Sequence, residues 1–251
     1  INILRYLEKF VYSSYDKIIS ISKQAQNNLT SWICLKKAKL EKYIVIQNGV
    51  VLDKFKNAFP YKKTDISDKF TEDTKLICMV GRFSEPKDQS TLIKAMLYLP
   101  ENVHLLLVGE GPLKEENVKL TKQINVENRV HFLGFRADVE RILKTVDIVI
   151  LSTVWEGLPL AVVEGMATGK LVLASNVEGV REIIRDSELM FDAGDPRNLS
   201  KKIKFYLENC NHYIAKTNYL TKESEKFDII YTVDNYLRVY QELVILANKV
   251  K

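Results

Sequence analysis

Two glutamates eight residues apart, Glu156 and Glu164, carry the strongest chemical signal in the chain. They lie in the run Trp155-Glu156-Gly157-Leu158-Pro159 followed by LAVVEGMATG. Pro159 suits the start of a helix, and Gly169 suits the position just past its end. Glu156 is therefore expected in a loop and Glu164 inside an apolar helix. Eight residues along a helical path span about 12 Å. The two carboxylates cannot touch one atom, but both can line one elongated ligand. An unpaired charge in an apolar helix is costly, so Glu164 needs a partner, and ligand hydroxyls supply one. Helix capping is the alternative role for Glu156. Upstream stands a second cluster, Gly81-Arg82-Phe83-Ser84-Glu85-Pro86-Lys87-Asp88. A glycine lets the chain turn off a strand, and a guanidinium and an ammonium beside a helix start can grip a diphosphate. Ordinary surface charge is the alternative for Arg82 and Lys87.

These residues need a scaffold, and the chain between 76 and 200 supplies one. Short apolar runs at 76–80, 103–108, 130–133, 147–151 and 171–174 read as buried strands. Stretches with helical spacing at 88–99, 113–124, 137–144, 159–168 and 179–185 separate them. Apolar strands alternating with helices predict an α/β fold, a doubly wound parallel Rossmann-like sheet with helices on both faces. Ligands of such sheets sit outside the carboxyl ends of the strands, where both clusters fall. The loop Val108-Gly109-Glu110-Gly111-Pro112 has Lys114 where a dinucleotide fingerprint wants a third glycine, so a nicotinamide site is disfavoured and a tight turn is preferred. The loop Ser175-Asn176-Val177-Glu178-Gly179-Val180-Arg181-Glu182 adds another glycine-bearing helix start, in which Arg181 and Glu182 can equally serve to pair with other groups. The tail repeats Ile229, Val233, Tyr236, Leu237, Tyr240, Leu243 and Val244 at helical spacing, which predicts a long amphipathic helix docking on another surface.

Composition narrows the function. The chain has 251 residues, 46% hydrophobic, with a formal charge of +5, and contains no apolar run long enough to span a membrane. Cys34, Cys78 and Cys210 form no CxxC pair, and His104, His131 and His212 form no metal-binding pattern, so free thiols and no metal site are expected. The basic clusters Lys36, Lys37, Lys39 and Lys62, Lys63 lack interleaved aromatics, which argues against nucleic acid. The chain begins at Ile1, with Arg5, Glu8 and Lys9 interrupting any signal-like apolar run.

The loops together resemble the C-terminal half of family 4 glycosyltransferases, retaining enzymes of the GT-B fold. Gly81–Asp88 is similar to the family's G-R-x4-K loop, Glu156 and Glu164 to its E-x7-E signature, and EGLPLAVVEGMATGKLVLAS is the most specific segment. DKIISIS at 16–22 and VIQNGVV at 45–51 resemble the end of the family's N-terminal domain and the linker beyond it. The resemblance implies a remnant of an N-terminal acceptor domain at 1–52, with that domain largely missing. It further implies a linker at 53–72, a nucleotide-sugar-binding domain at 73–225 and a C-terminal helix at 226–251 crossing back toward the first domain. Ile1 is then expected to be a cut, and the chain by itself to bind its donor weakly and transfer nothing.

The resemblance assigns the catalytic region to Glu156, Arg82 and Lys87. Gly81, Arg82 and Lys87 would hold the donor diphosphate and Glu156 the donor sugar hydroxyls. The turn Gly157, Leu158 and Pro159 would present backbone amides, and Glu164 would bind the nucleotide ribose. Phe132, Leu133, Gly134 and Phe135, with Arg136, would pass near the base. The implied donor is a UDP-, GDP- or ADP-sugar, without a metal or other cofactor. The implied acceptor is a glycan or lipid-linked sugar of bacterial surface polysaccharide, placing the enzyme in the cytoplasm with peripheral association at the inner face of the plasma membrane. The chain departs from the family at Glu178, where a glycine is usual, and at Gly165, where alanine is common. A non-catalytic nucleotide-sugar-binding module and a sugar-nucleotide epimerase of the same fold are the alternatives.

Overall fold

The computed structural model describes residues 2–33 and 41–249. Cys34 and the cluster Lys36, Lys37 and Lys39 lie outside the described residues. The chain divides into two compact units, Ile1–Gly49 with Phe227–Lys251, and Val50–Lys226.

The first unit contains α1 (Asn2–Ser13), β1 (Ile18–Ser20), α2 (Lys23–Trp32), β2 (Tyr43–Val45) and, after the second unit, a long tail helix over Ile229–Lys249. β1 and β2 pair in parallel. Ser22 caps α2 by accepting the Ala25 amide at 3.1 Å. Gln26, buried on α2, donates its side-chain amide to the Tyr43 carbonyl at 2.6 Å and ties the helix to β2. The tail helix forms where the apolar spacing predicts it. Val239 is buried, whereas Leu237, Tyr240 and Val244 are exposed.

The second unit opens with α3 (Leu52–Lys56) and α4 (Lys63–Ile66). Six parallel strands follow: β3 (Lys75–Val80), β4 (Val103–Val108), β5 (Val130–Gly134), β6 (Ile148–Leu151), β7 (Leu171–Ser175) and β8 (Met190–Phe191). Their spatial order is β5-β4-β3-β6-β7-β8. The order reverses beside β3, so the loops after β3 and β6 flank the switch point where doubly wound sheets bind ligands. The crossover helices are α5 (Gln89–Ala95), α6 (Lys114–Gln123), α7 (Val139–Thr145), α8 (Leu160–Ala167) and α9 (Glu178–Arg181). Helices α10 (Pro196–Glu208) and α11 (Cys210–Ser224) complete the unit. The core is the sheet itself: Leu76, Ile77, Cys78, Leu105, Leu106, Ile148, Leu171, Val172 and Leu173 are fully enclosed. Burial pushes the Cys78 thiol well above its ordinary range, so it acts as a packed apolar group.

The segment 53–72 carries more structure than its polar composition suggests. Leu52 and Phe55, one helical turn apart, are buried, and so is Phe70. The Tyr61 amide donates to Thr145 Oγ1 at 2.8 Å, and the Tyr61 hydroxyl donates to Asp138. The Arg141 guanidinium lies 3.8 Å from the Tyr61 ring centroid, a cation–π contact. β8 pairs through only two residues, with Ala174 and Ser175, too short a run to announce itself in the sequence.

At the far end of the sheet His104 Nδ1 and His131 Nε2 stand 3.0 Å apart, with Phe70 edge-on to both rings. Burial, then the neighbouring His104 and Lys69, hold His131 down at about 4, below the ordinary value of 6.5. Its neutral form is the folded form, so the unfolded chain takes up the proton first as pH falls. Stability contributed by the pair is complete above about pH 6.5 and is lost toward pH 4. Urea midpoints should fall across that window and fall less in a His104→Gln, His131→Gln double variant; parallel slopes would contradict the assignment.

Candidate functional site

The site is built at the carboxyl edge of the sheet from the loops that leave β3, β4, β6 and β7. After β3 the chain turns at Gly81, and a 3-10 turn over Glu85–Lys87 leads to Asp88. Asp88 takes a left-handed conformation at φ 41° and caps α5, accepting from the Thr91 amide at 3.3 Å and the Thr91 hydroxyl at 2.6 Å. This cap fixes where Lys87 points. The Gln89 side-chain amide donates to the Arg82 carbonyl at 2.9 Å and secures the other end of the turn. The Arg82 side chain is exposed and makes no hydrogen bond or ion pair with the described residues.

Lys87 Nζ meets Glu156 Oε1 at 2.5 Å, joining the two sequence clusters directly. The side chains keep only 24% and 10% of their surface, so water screens this pair poorly. Thr153, at the exit of β6, supports it. Its hydroxyl donates to the Pro86 carbonyl at 2.6 Å and stands 3.1 Å from Glu156 Oε1. The Val154 amide also donates to the Pro86 carbonyl, at 2.9 Å, and the Thr153 amide to Ser175 Oγ at 2.9 Å. Ser152 Oγ donates to the Asp88 carbonyl at 2.9 Å. Thr153, Ser152 and Gln89 were not singled out from the sequence, because a small hydroxyl or amide beside a strand end carries no pattern of its own.

The loop after β7 approaches just as closely. A Cβ added to Gly179 would stand 2.3 Å from the Glu156 carbonyl oxygen, which only a hydrogen at that position avoids. Glu178, the departure noted above, is exposed. Arg181 is engaged locally, its Nε donating to Asn176 Oδ1 at 2.7 Å. Gly109-Glu110-Gly111 runs on irregularly from β4, and the tight turn follows at residues 111–114, where the Lys114 amide donates to the Gly111 carbonyl at 3.2 Å. Gly111 has φ 159°, and a Cβ there would stand 2.3 Å from the Phe83 carbonyl oxygen.

The remaining sequence candidates divide. Pro159 lies one residue ahead of α8 and has no amide hydrogen, so only Gly157 and Leu158 of that turn can present donors. Phe132 packs on Phe83 with centroids 5.8 Å apart. Leu133 is half-buried, the Gly134 carbonyl accepts the Gly109 amide at 2.8 Å, and Phe135 is left 80% exposed. Arg136 is held by Asp138, with Nε donating to Oδ1 at 2.8 Å. That guanidinium keeps the Asp138 carboxyl well below the usual range. Glu164 sits on α8, half-buried, with no hydrogen bond or ion pair to the described residues. Burial, then the like charge of Glu140, raises its carboxyl, while Lys54 lowers it. Among the described residues no group of three or more His, Cys, Asp or Glu could hold a metal ion. No described helix is long and apolar enough to cross a membrane.

Residues 62–226 match the family described as Glycosyl transferases group 1. The chain belongs to that family. Among curated relatives of this glycosyltransferase chain is the Escherichia coli UDP-Gal:alpha-D-GlcNAc-diphosphoundecaprenol alpha-1,3-galactosyltransferase. It is 26% identical over 256 residues, covering 97% of this chain and 64% of that protein. A second is the Campylobacter jejuni N-acetylgalactosamine-N,N'-diacetylbacillosaminyl-diphospho-undecaprenol 4-alpha-N-acetylgalactosaminyltransferase, 26% identical over 89% of this chain and 60% of its own length. The chain thus spans less than two thirds of the length of either relative. Anabaena Alr3699/HepE, solved in complex with UDP and glucose, shares the GT-B fold with a TM-score of 0.79 at 22% identity, over 90% of this chain and 63% of that one.

Gly179→Ala should force the Glu156 loop outward and destabilise the glycosyltransferase chain by about 1–3 kcal/mol, the usual cost of overpacking. Thermal unfolding of the purified variant checks this, and an unchanged midpoint would mean that the close approach is not tight.

Proposed function

We propose that the Val50–Lys226 unit binds the nucleoside diphosphate sugar from which the whole protein transfers a sugar to a lipid-linked or glycan acceptor. The observation that carries this reading is the Lys87–Glu156 ion pair at 2.5 Å beside the unpartnered Arg82 guanidinium, at the switch point of a doubly wound sheet. A diphosphate supplies the anion that Arg82 lacks and competes with Glu156 for Lys87. The two cations then stabilise the negative charge that grows on the leaving nucleoside diphosphate as the glycosidic bond breaks. Glu156, once released from Lys87, accepts hydroxyls of the donor sugar. The amides of Gly157 and Leu158 face the sugar and its phosphate. Glu164 accepts the ribose hydroxyls, and the open Phe135 ring lies beside the base.

Uridine is the base proposed, with support from the UDP-using Escherichia coli relative and the UDP-bound structural neighbour. Transfer proceeds with retention through front-face displacement, in which the departing phosphate takes the acceptor proton and no protein nucleophile is required. The arginine and lysine do the work of a divalent cation, so the reaction is proposed to be metal-independent. The proposed acceptor is lipid-linked and the proposed location is the cytoplasmic face of the membrane, with support from the diphosphoundecaprenol substrates named for both relatives. The excess of basic residues favours that surface.

UDP should stabilise the chain, by about 2.7 kcal/mol at a hundredfold excess over Kd. Arg82→Ala should weaken UDP binding about tenfold or more, the cost of a charge-assisted contact. Glu156→Ala should tighten UDP binding, by freeing Lys87, but lose the extra affinity of the matching UDP-sugar. Calorimetric titration with UDP, GDP and ADP, then with their sugars, measures each effect. A chain that binds none of the three nucleotides would contradict the proposal.

A further inference from the structure

A cavity of about 480 Å3 lies beside the edge strand β8, between α10 and the start of α11. None of its lining residues belongs to the loops of the donor proposal. Asn198, Lys201, Lys202, Phe205 and Tyr206 fall at the i, i+3, i+4, i+7 and i+8 positions of α10, so one face of that helix forms the wall. Glu188 lines it from the turn before β8, and His212 from the first turn of α11.

This wall is rich in hydrogen-bond donors and short of anions to receive them. Asn198 Oδ1 accepts the Asp192 amide at 3.2 Å, so the side-chain NH2 is the end left over. Lys202 Nζ gives one proton to the Glu188 carbonyl at 2.8 Å and keeps two. Lys201 is exposed and makes no hydrogen bond or ion pair with the described residues. Tyr206 is only 3% exposed, yet its hydroxyl has no hydrogen-bond partner among the described residues. That oxygen is not fully enclosed, so it meets the cavity that Tyr206 lines. The acid on the wall is already matched: Glu188 Oε2 pairs with Lys216 of α11, which also pairs with Asp186. Phe205, 43% exposed, adds an apolar ring, with its centroid 5.1 Å from that of Tyr206 and 5.2 Å from that of His212. Burial pulls the Lys202 ammonium below its ordinary range, as expected of a cation short of a counter-ion.

We propose that this cavity is a second ligand site, which takes a small sugar phosphate. The phosphate sits on the Lys201 and Lys202 ammoniums, the Asn198 amide and the Tyr206 hydroxyl. The C–H face of the sugar lies against the Phe205 ring. A phosphate monoester brings about two negative charges and three strong acceptor oxygens. A carboxylate would bring a single charge to two ammoniums. The second Glu188 oxygen, which has no partner among the described residues, accepts a sugar hydroxyl. The donor residues Arg82, Lys87 and Glu156 take no part, so the inference stands apart from the donor reading.

The test is calorimetric titration of the full chain with glucose 1-phosphate, galactose 1-phosphate and glucose 6-phosphate, set against inorganic phosphate and UMP. At least one sugar phosphate should bind about tenfold more tightly than inorganic phosphate. Tyr206→Phe should weaken that binding about tenfold, the value of one hydrogen bond to a charged group. Lys201→Met should weaken it by a similar factor, and because Lys201 is exposed this variant serves if Tyr206→Phe does not fold. Saturating UDP should leave the sugar phosphate titration unchanged. Binding of none of the three sugar phosphates overturns the inference, as does binding that both variants leave intact. Competition with UDP overturns it too, by placing the ligand in the donor site. Inorganic phosphate or UMP binding as tightly as the best sugar phosphate overturns the assignment of a sugar to the Phe205 wall.

Discussion

The Lys87–Glu156 ion pair is the interaction around which the second unit is arranged. Opposite unit charges about 4 Å apart attract by about 4 kcal/mol at an effective dielectric constant of about 20. The desolvation cost of two little-exposed charges offsets much of that. The net stability gained is small, and its value lies in placement. An unpaired Lys87 or Glu156 at this depth would be penalised, so the loops after β3 and β6 can settle only where the two meet. Thr153, Ser152 and the Asp88 cap then hold both loops in that register through the Pro86 and Asp88 carbonyls.

The rest of the unit delivers those loops. Parallel pairing of β3 with β6 puts their carboxyl ends side by side, and the reversal of strand order between them opens the crevice. Gly179 lets the β7 loop close behind Glu156, and Ser175 at the end of β7 accepts the Thr153 amide. Each contact falls at a strand end, where the rigid core stops and chain direction is decided by a few hydrogen bonds. In the donor proposal this gives a site whose cation and carboxylate neutralise each other until a diphosphate separates them.

Much of this was legible in the sequence because the periodicities are strong. Short apolar runs such as LICMV and VHLLLV, bounded by turn residues, read as buried strands, and the helices between them point to a parallel sheet. The two glutamates and the two basic residues were visible because charge at a strand end is conspicuous. Their direct union was not, since 69 residues separate Lys87 from Glu156 and no local pattern reports such a pairing. The segment 53–72 read as polar and loose because its anchors, Phe55, Tyr61 and Phe70, are single residues spaced among lysines and aspartates.

The most direct test of the central claim is a double-mutant cycle on nucleotide binding. UDP affinity is measured by calorimetry for the wild type, Lys87→Met, Glu156→Gln and the double variant. Because Glu156 competes with the diphosphate for Lys87, Glu156→Gln should tighten UDP binding, and do so only while Lys87 is present. Lys87→Met should weaken binding by about tenfold. The double variant should match Lys87→Met, giving a non-zero coupling between the two residues. Equal UDP affinity across all four proteins would show that the pair does not form the nucleotide site.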